Sequence, residues 1–221
     1  MVDSRVDSGP NFGPDSHFNL QQLMPNAENY PAVLKARTDG KSPPVLTALG
    51  NLSLLQRPAL ALLCSHTCPG EWATQARDLV PRLQNLDFVL ISGFHTGVEQ
   101  DWLHLLLNST ASVIHCPARS LHAFHLSPQQ TQALQAQRLL MLSPFPTSAR
   151  RATVQLAARR NALVTALATA ALVAYAAPDG RTAALAQQLI QLGKPVFTLK
   201  GNQRLLEMGA REVGKMGEVG R

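Results

Sequence analysis

Short apolar runs recur through the middle of the chain, and none alternates with polar residues. They are Ala59–Cys64 (ALALLC), Phe88–Ser92 (FVLIS), Ser112–Cys116 (SVIHC), Leu139–Leu142 (LLML), Ala171–Ala176 (ALVAYA) and Pro195–Leu199 (PVFTL). Successive side chains of a strand point to opposite faces, so an apolar run without alternation is a strand covered on both sides. Between the runs lie helical segments near Glu71–Gln84, Gly97–Leu107, Gln129–Arg138, Thr153–Ala168 and Thr182–Leu192. Strand and helix in regular alternation predict an α/β fold, a doubly wound, mostly parallel sheet flanked by helices on both faces. In such sheets ligands bind beyond the carboxyl ends of the strands, which directs attention to the loops that follow each run.

Outside this region the pattern fades. Residues 1–27 are rich in Pro, Gly, Asp, Ser and Asn without apolar periodicity and are expected to form a disordered arm. Residues 28–57 hold short apolar pieces set off by Pro43, Pro44 and Gly50, which predicts an irregular lead-in packed on the core. Residues 58–210 are the expected core domain, and residues 211–221 a flexible tail.

Composition narrows the class. The richest apolar stretch, Ala162 to Ala177, is broken by Thr165, Thr169 and Tyr175, so no membrane span is expected. The first residues, MVDSRVDSGP, lack the basic start and apolar block of a secretory signal, and the odd set Cys64, Cys68 and Cys116 fits a reducing compartment. A cytoplasmic location is the expectation. The formal net charge is +6. Its distribution says more than its sum, because from Arg138 to Arg204 the cations Arg138, Arg150, Arg151, Arg159, Arg160, Arg181, Lys194, Lys200 and Arg204 face a single acid, Asp179. An anionic partner would suit such a half, as would a merely solvated surface.

The loops supply the candidate chemistry. Cys64 to Gly70 (CSHTCPG) is small and polar and leads into a helix whose free N–H groups can receive an anion. Cys64, His66 and Cys68 alternate like soft metal ligands, yet no second Cys/His pair follows, and no metal or cofactor is expected. The next loop carries Ser92, Gly93 and Gly97, which let the backbone turn tightly and approach a ligand; a strand-to-helix turn accounts for such glycines equally well. Arg150, Arg151, Arg159, Arg160 and Asn161 surround a helix whose buried face is read from Leu156, Leu163 and Leu167, with Arg159 and Arg160 near its edge, where forked donors suit phosphate oxygens. Gly180, Arg181 and Thr182 open another helix, with Asp179 or Thr182 as the expected N-cap. His104, His115, His122 and His125 are read as structural or surface residues, and no nucleophile, base and acid stand together as a hydrolase would need.

In order, these segments resemble the DprA/Smf family of DNA-processing proteins. Tyr30-Pro31, Leu34, Pro43-Pro44-Val45-Leu46 and Gly50-Asn51-Leu52-Ser53-Leu54-Leu55 are similar to the family's lead-in. Ser65 stands where the family has the Ser of a strand-end Gly-Ser-Arg; Ser92-Gly93 and Gly97-Val98-Glu99 resemble its Ser-Gly-x-Ala-x-Gly-Ile-Asp. Ser143-Pro144-Phe145-Pro146 is similar to its Ser-Glu-x-Pro, Arg160-Asn161 to its Arg-Asn-Arg, and Pro195-Val196-Phe197 with Gly201-Asn202 to its closing motif. The resemblance implies a Rossmann-like fold that binds single-stranded DNA without catalysis, passes it to a RecA-type recombinase during natural transformation, and pairs into homodimers. Carried over, the DNA-facing residues are Ser65, Ser92, Gly93, Gly97, Arg160, Asn161, Lys200 and Gly201; His66, Arg150, Arg151, Arg159, Gly180, Arg181 and Thr182 are added from loop position and charge.

The chain also departs from that pattern. Cys64-Ser65-His66 replaces Gly-Ser-Arg, Thr96 and Ala162 stand at positions of arginines, Glu99 replaces Asp, Leu103 a frequent His and Tyr175 a frequent Glu. Fewer cations weaken backbone binding and flatten its salt dependence. The alternative expectation is a Rossmann-like sensor that takes a nucleotide or nucleotide derivative in the same crevice. The family's winged-helix extension is expected to be missing after Arg221.

Overall fold

The computed structural model describes residues 18–36, 42–95 and 97–214. Most of the expected arm (1–17), part of the lead-in (37–41), Thr96 and most of the expected tail (215–221) lie outside the described residues. The strands are β1 (Gln21–Leu23), β2 (Leu46–Gly50), β3 (Ala59–Leu63), β4 (Val89–Ser92), β5 (Val113–His115), β6 (Leu139–Ser143), β7 (Ala170–Val173), β8 (Val196–Thr198) and β9 (Arg211–Glu212). The helices are α1 (Ala32–Ala36), α2 (Gly70–Asp78), α3 (Val80–Leu83), α4 (Val98–Leu107), α5 (Pro128–Gln135), α6 (Val154–Leu167), α7 (Arg181–Gln191) and α8 (Gln203–Glu207).

Among the described residues these strands form one sheet in the order β1-β2-β6-β5-β4-β3-β7-β8-β9. From β6 to β9 all neighbours are parallel, and only β1 with β2 and β2 with β6 run antiparallel. Alternate residues of each parallel strand feed opposite layers. Ala59, Ala61, Leu63, Val89, Ile91 and Val173 join α6 and α7 in one core. Leu60, Leu62, Leu90, Leu172 and Phe197 join the layer of α2 to α5 in the other. Trp102 is fully buried in the second layer, and its Nε1 donates to the Ala76 carbonyl at 2.7 Å, pinning α4 to α2. The chain winds outward from β3 in both directions, so the order of strands reverses between β3 and β7, the switch point at which such sheets open a crevice.

The doubly wound α/β expectation holds, and four local expectations do not. The lead-in is not irregular: Leu46–Gly50 is a strand hydrogen-bonded to β6 in the register Thr47↔Ser143 to Gly50↔Leu140, and Gln21–Leu23, inside the expected arm, pairs with it. Pro43 and Pro44 precede β2 and so remove no ladder hydrogen bond from it. Arg211 and Glu212, expected in the tail, pair with Phe197 and Thr198 of β8. The single helix expected over Glu71–Gln84 divides at Leu79, because Pro81 lacks the N–H that would continue the ladder and sits instead at the start of α3.

Candidate nucleic-acid interface

Beyond the carboxyl ends of β3 and β4, two loops converge on one carboxylate. Glu99, in the first turn of α4, accepts from the Cys64 backbone N–H at 3.2 Å and from the Ser92 hydroxyl at 3.2 Å, and the His95 backbone also hydrogen-bonds it. Desolvation raises its pKa above the ordinary carboxylate value, and the Arg160 charge and these donors work against that rise. Arg160 reaches the same place from α6. It is 5% exposed, its Nη1 donates to the Cys116 carbonyl at 3.4 Å, and its Nε has no hydrogen-bond partner among the described residues. Its guanidinium occupies the space that a Cβ on Gly93 would need. Gly93 is therefore required by Arg160, a role the sequence alone assigned to an approaching ligand.

Beside this hub opens a cavity of about 580 Å³ between the ends of β4 and β5, the start of α5 and the segment before α6. Arg119, Arg150 and Arg151 line it with His95, His104, His115 and the amides of Gln100, Gln129 and Gln130, and among the described residues no carboxylate lines it. Phe94 and Phe124, with Leu103 and Leu107, are in its apolar part. Arg119 lies over the Phe124 ring, 4.5 Å from its centroid, a cation–π contact that holds the guanidinium at the cavity. His115 packs edge-on between Phe94 and Phe124, with centroids 5.7 and 5.6 Å away.

The tautomer of His115 follows from its neighbours. Gln130 accepts from the Ser127 backbone N–H through Oε1 at 2.9 Å, completing the capping box of α5. Its Nε2 then points to His115 Nδ1 at 3.3 Å, so Nδ1 accepts and the ring proton is on Nε2; the Gly93 backbone also hydrogen-bonds the ring. Burial first, and the Arg160 charge second, push the His115 pKa down to about 3. His95 is also held below its ordinary value, by desolvation and then by the charges of Arg160 and His66. Arg119, Arg150 and Arg151 thus supply the fixed positive charge of the cavity.

The structure separates the residues named from sequence. Gly93, Arg150 and Arg151 line the cavity. Ser65, His66, Gly97, Lys200 and Gly201 gather along the switch point: Ser65 donates its N–H to the Tyr175 carbonyl at 2.9 Å and accepts from Ala177 N–H at 2.9 Å, and a Cβ on Gly97 would lie 3.6 Å from the His66 carbonyl. Gly180 is the N-cap of α7, in place of the expected Asp179 or Thr182; Arg181 is exposed, Thr182 half-buried, and Asp179 pairs instead with Arg204 at 2.8 Å. Ser92 and Arg160 do not face solvent, at 1% and 5% exposure, and Asn161 is half-buried. Arg160 sits three and four residues before the buried Leu163 and Val164, at the centre of the covered stripe and not at its edge. Arg159 is exposed, 5.5 Å from the Phe145 ring centroid. Sequence reasoning missed Arg119, His95, His104, His115 and Gln130; only the Ser127-x-x-Gln130 capping box left a local signal.

The family model described as DNA recombination-mediator protein A matches residues 21–218. The chain belongs to that family. Its fold is similar to that of DNA processing protein A from Streptococcus pneumoniae, with a TM-score of 0.73 at 21% identity over 88% of this chain and 71% of that one. DNA processing protein A from Helicobacter pylori, whose single-stranded DNA binding mode has been described structurally, matches with a TM-score of 0.71 at 24% identity over 91% of this chain and 94% of that one. No curated protein matches the sequence. Membership in the DNA recombination-mediator protein A family gives the chain a place in DNA processing, and no helix among the described residues is long and apolar enough to cross a membrane.

Proposed function

We infer that this protein binds single-stranded DNA at the carboxyl ends of its parallel strands and performs no bond chemistry on it. The observation that carries the reading is the cavity lined by Arg119, Arg150 and Arg151 with no carboxylate among the described residues that line it. Forked guanidinium donors suit phosphate oxygens, and an uncompensated group of them attracts a polyanion. Ser65, His66, Gly97, Lys200 and Gly201 along the switch point, and Arg181 at the start of α7, extend the path. Transfer of the bound strand to a RecA-type recombinase during DNA uptake, in the cytoplasm and as a homodimer, is the role the family resemblance assigns to it.

Fluorescence anisotropy with an oligo(dT) at two salt concentrations tests the reading. Binding that weakens as salt rises is the expected result; no binding at low salt contradicts it. A second reading has its own support, because a cavity of about 580 Å³ is the size of a small-molecule site. A nucleotide sensor would show thermal stabilisation by mononucleotides and no affinity for the oligonucleotide.

A further inference from the structure

An aromatic pair straddles the switch point. Trp72, in the first turn of α2, and Tyr175, just after β7, have ring centroids 5.7 Å apart and planes inclined at 52°. Both rings are partly exposed, whereas Trp102, Tyr30, Phe94, Phe124, Phe145 and Phe197 are buried. The other partly exposed phenylalanine, tyrosine or tryptophan rings among the described residues, Phe18 and Phe88, precede β1 and β4 and so stand at the amino ends of the strands. Trp72 and Tyr175 are, among the described residues, the large aromatic rings available where the DNA is proposed to run.

Their surroundings suit a nucleobase and its phosphate. Gly201 has φ 92°, and a Cβ there would lie 3.8 Å from Trp72 Cη2, so the loop after β8 closes directly over the edge of the indole. Lys200 beside it is exposed. Asn202, next along, is 7% exposed, and its amide nitrogen has no hydrogen-bond partner among the described residues, which leaves a buried donor for an acceptor from outside the chain. The route from the cavity is continuous. Glu99 joins the loop of His95 to Cys64, a Cβ on Gly97 would lie 3.6 Å from the His66 carbonyl, and Ser65 hydrogen-bonds both Tyr175 and Ala177.

We propose that the Trp72–Tyr175 pair is a nucleobase-stacking seat on the single-stranded DNA path, with Lys200 beside it for a phosphate and the arginine cavity holding another part of the same strand. The proposal rests on the DNA-binding reading above. Stacking on an aromatic face is tolerant of base identity, so the seat adds affinity without sequence preference.

The chain has two tryptophans, and Trp102 is fully buried, so a change in tryptophan emission reports on Trp72. Oligo(dT) is titrated while anisotropy of a labelled strand and intrinsic tryptophan emission are followed together. A strand of equal length with abasic sites throughout serves as the phosphate-only probe. Quenching that saturates with the anisotropy signal is expected for oligo(dT) and not for the abasic strand, and Trp72→Leu, which keeps apolar bulk, should abolish the quenching and weaken binding by about tenfold. If the anisotropy rises while wild-type emission stays constant, and the abasic strand binds equally well, the stacking seat is overturned and DNA binding stands. No anisotropy change with either strand overturns both. The wild-type titration decides the matter even if Trp72→Leu does not fold.

Discussion

Arg160 and Gly93 are one structural decision made by two residues. The guanidinium lies where a Cβ at position 93 would be, and it is the cation nearest the desolvated Glu99. Gly93→Ala should therefore lower stability by about 1–3 kcal/mol, the usual range for overpacking, read as a shift in the urea midpoint. Arg160→Met removes the charge opposite a buried carboxylate and should cost about 3–5 kcal/mol, partly recovered when Glu99→Gln is added. Oligonucleotide affinity per folded molecule should change little in Arg160→Met, since that side chain does not reach solvent. His115 gives a pH prediction. Its folded pKa is lowered from 6.5 to about 3, so between those values the unfolded chain binds the extra proton, and stability present at neutral pH is lost as pH falls through that window. The slope is at most about 1.4 kcal/mol per pH unit. Glu99, whose pKa is raised, contributes with the opposite sign, so the comparison is between wild type and His115→Asn in urea melts at neutral and mildly acidic pH: the variant should lose the acid sensitivity that His115 confers. The burial of Arg160 was readable in principle, because Leu156, Arg160, Leu163 and Leu167 fall on one helical line. Arg119 left no such trace, since only the folded chain brings it to Phe124 and the two arginines before α6.

At the scale of elements, two cations of the basic half end helices and do not face a ligand. Lys194 Nζ donates to the carbonyls of Thr165, Ala166 and Ala168 at 2.8, 3.1 and 2.6 Å, at the C-terminal end of α6. Arg138 does the same for Leu107 and Ala111 after α4, at 2.7 and 3.3 Å. A positive charge on unsatisfied carbonyls favours a helix C-terminus and satisfies its orphan acceptors. Lys194→Met should thus lower stability by about 1–3 kcal/mol in chemical denaturation and leave the salt dependence of DNA binding unchanged. The charge run alone could not sort these roles, because a cation that caps a helix and one that awaits a phosphate are the same letter. Strand positions were far more legible. Runs covered on both faces stand out as unbroken apolar blocks, and Leu139–Leu142 differs from β6 only by the addition of Ser143. The strands that escaped notice have another cause: β1 is a three-residue edge with one buried side chain, and β2 follows two prolines and carries Thr47.

For the molecule as a whole, winding outward from β3 explains why widely separated segments meet. Residues near 65, 93, 119, 150, 175 and 200 belong to six connections, and the parallel sheet delivers all of them to one edge. The order of motifs along the chain was enough to recognise the family, since topology ties that order to position in space. It was not enough to find the cavity, whose arginines stand at positions the family motifs do not mark.

The central claim is that Arg119, Arg150 and Arg151 hold the phosphates of a single strand. It is tested most directly by measuring oligo(dT) affinity across a salt series for the wild type and for the variant with all three changed to Ala. Each phosphate that is no longer neutralised should reduce the slope of log K against log salt by about 0.7, so the variant should bind more weakly at low salt and with a visibly flatter slope. Equal affinity and equal slope for the two proteins, with the variant folded, would contradict the account.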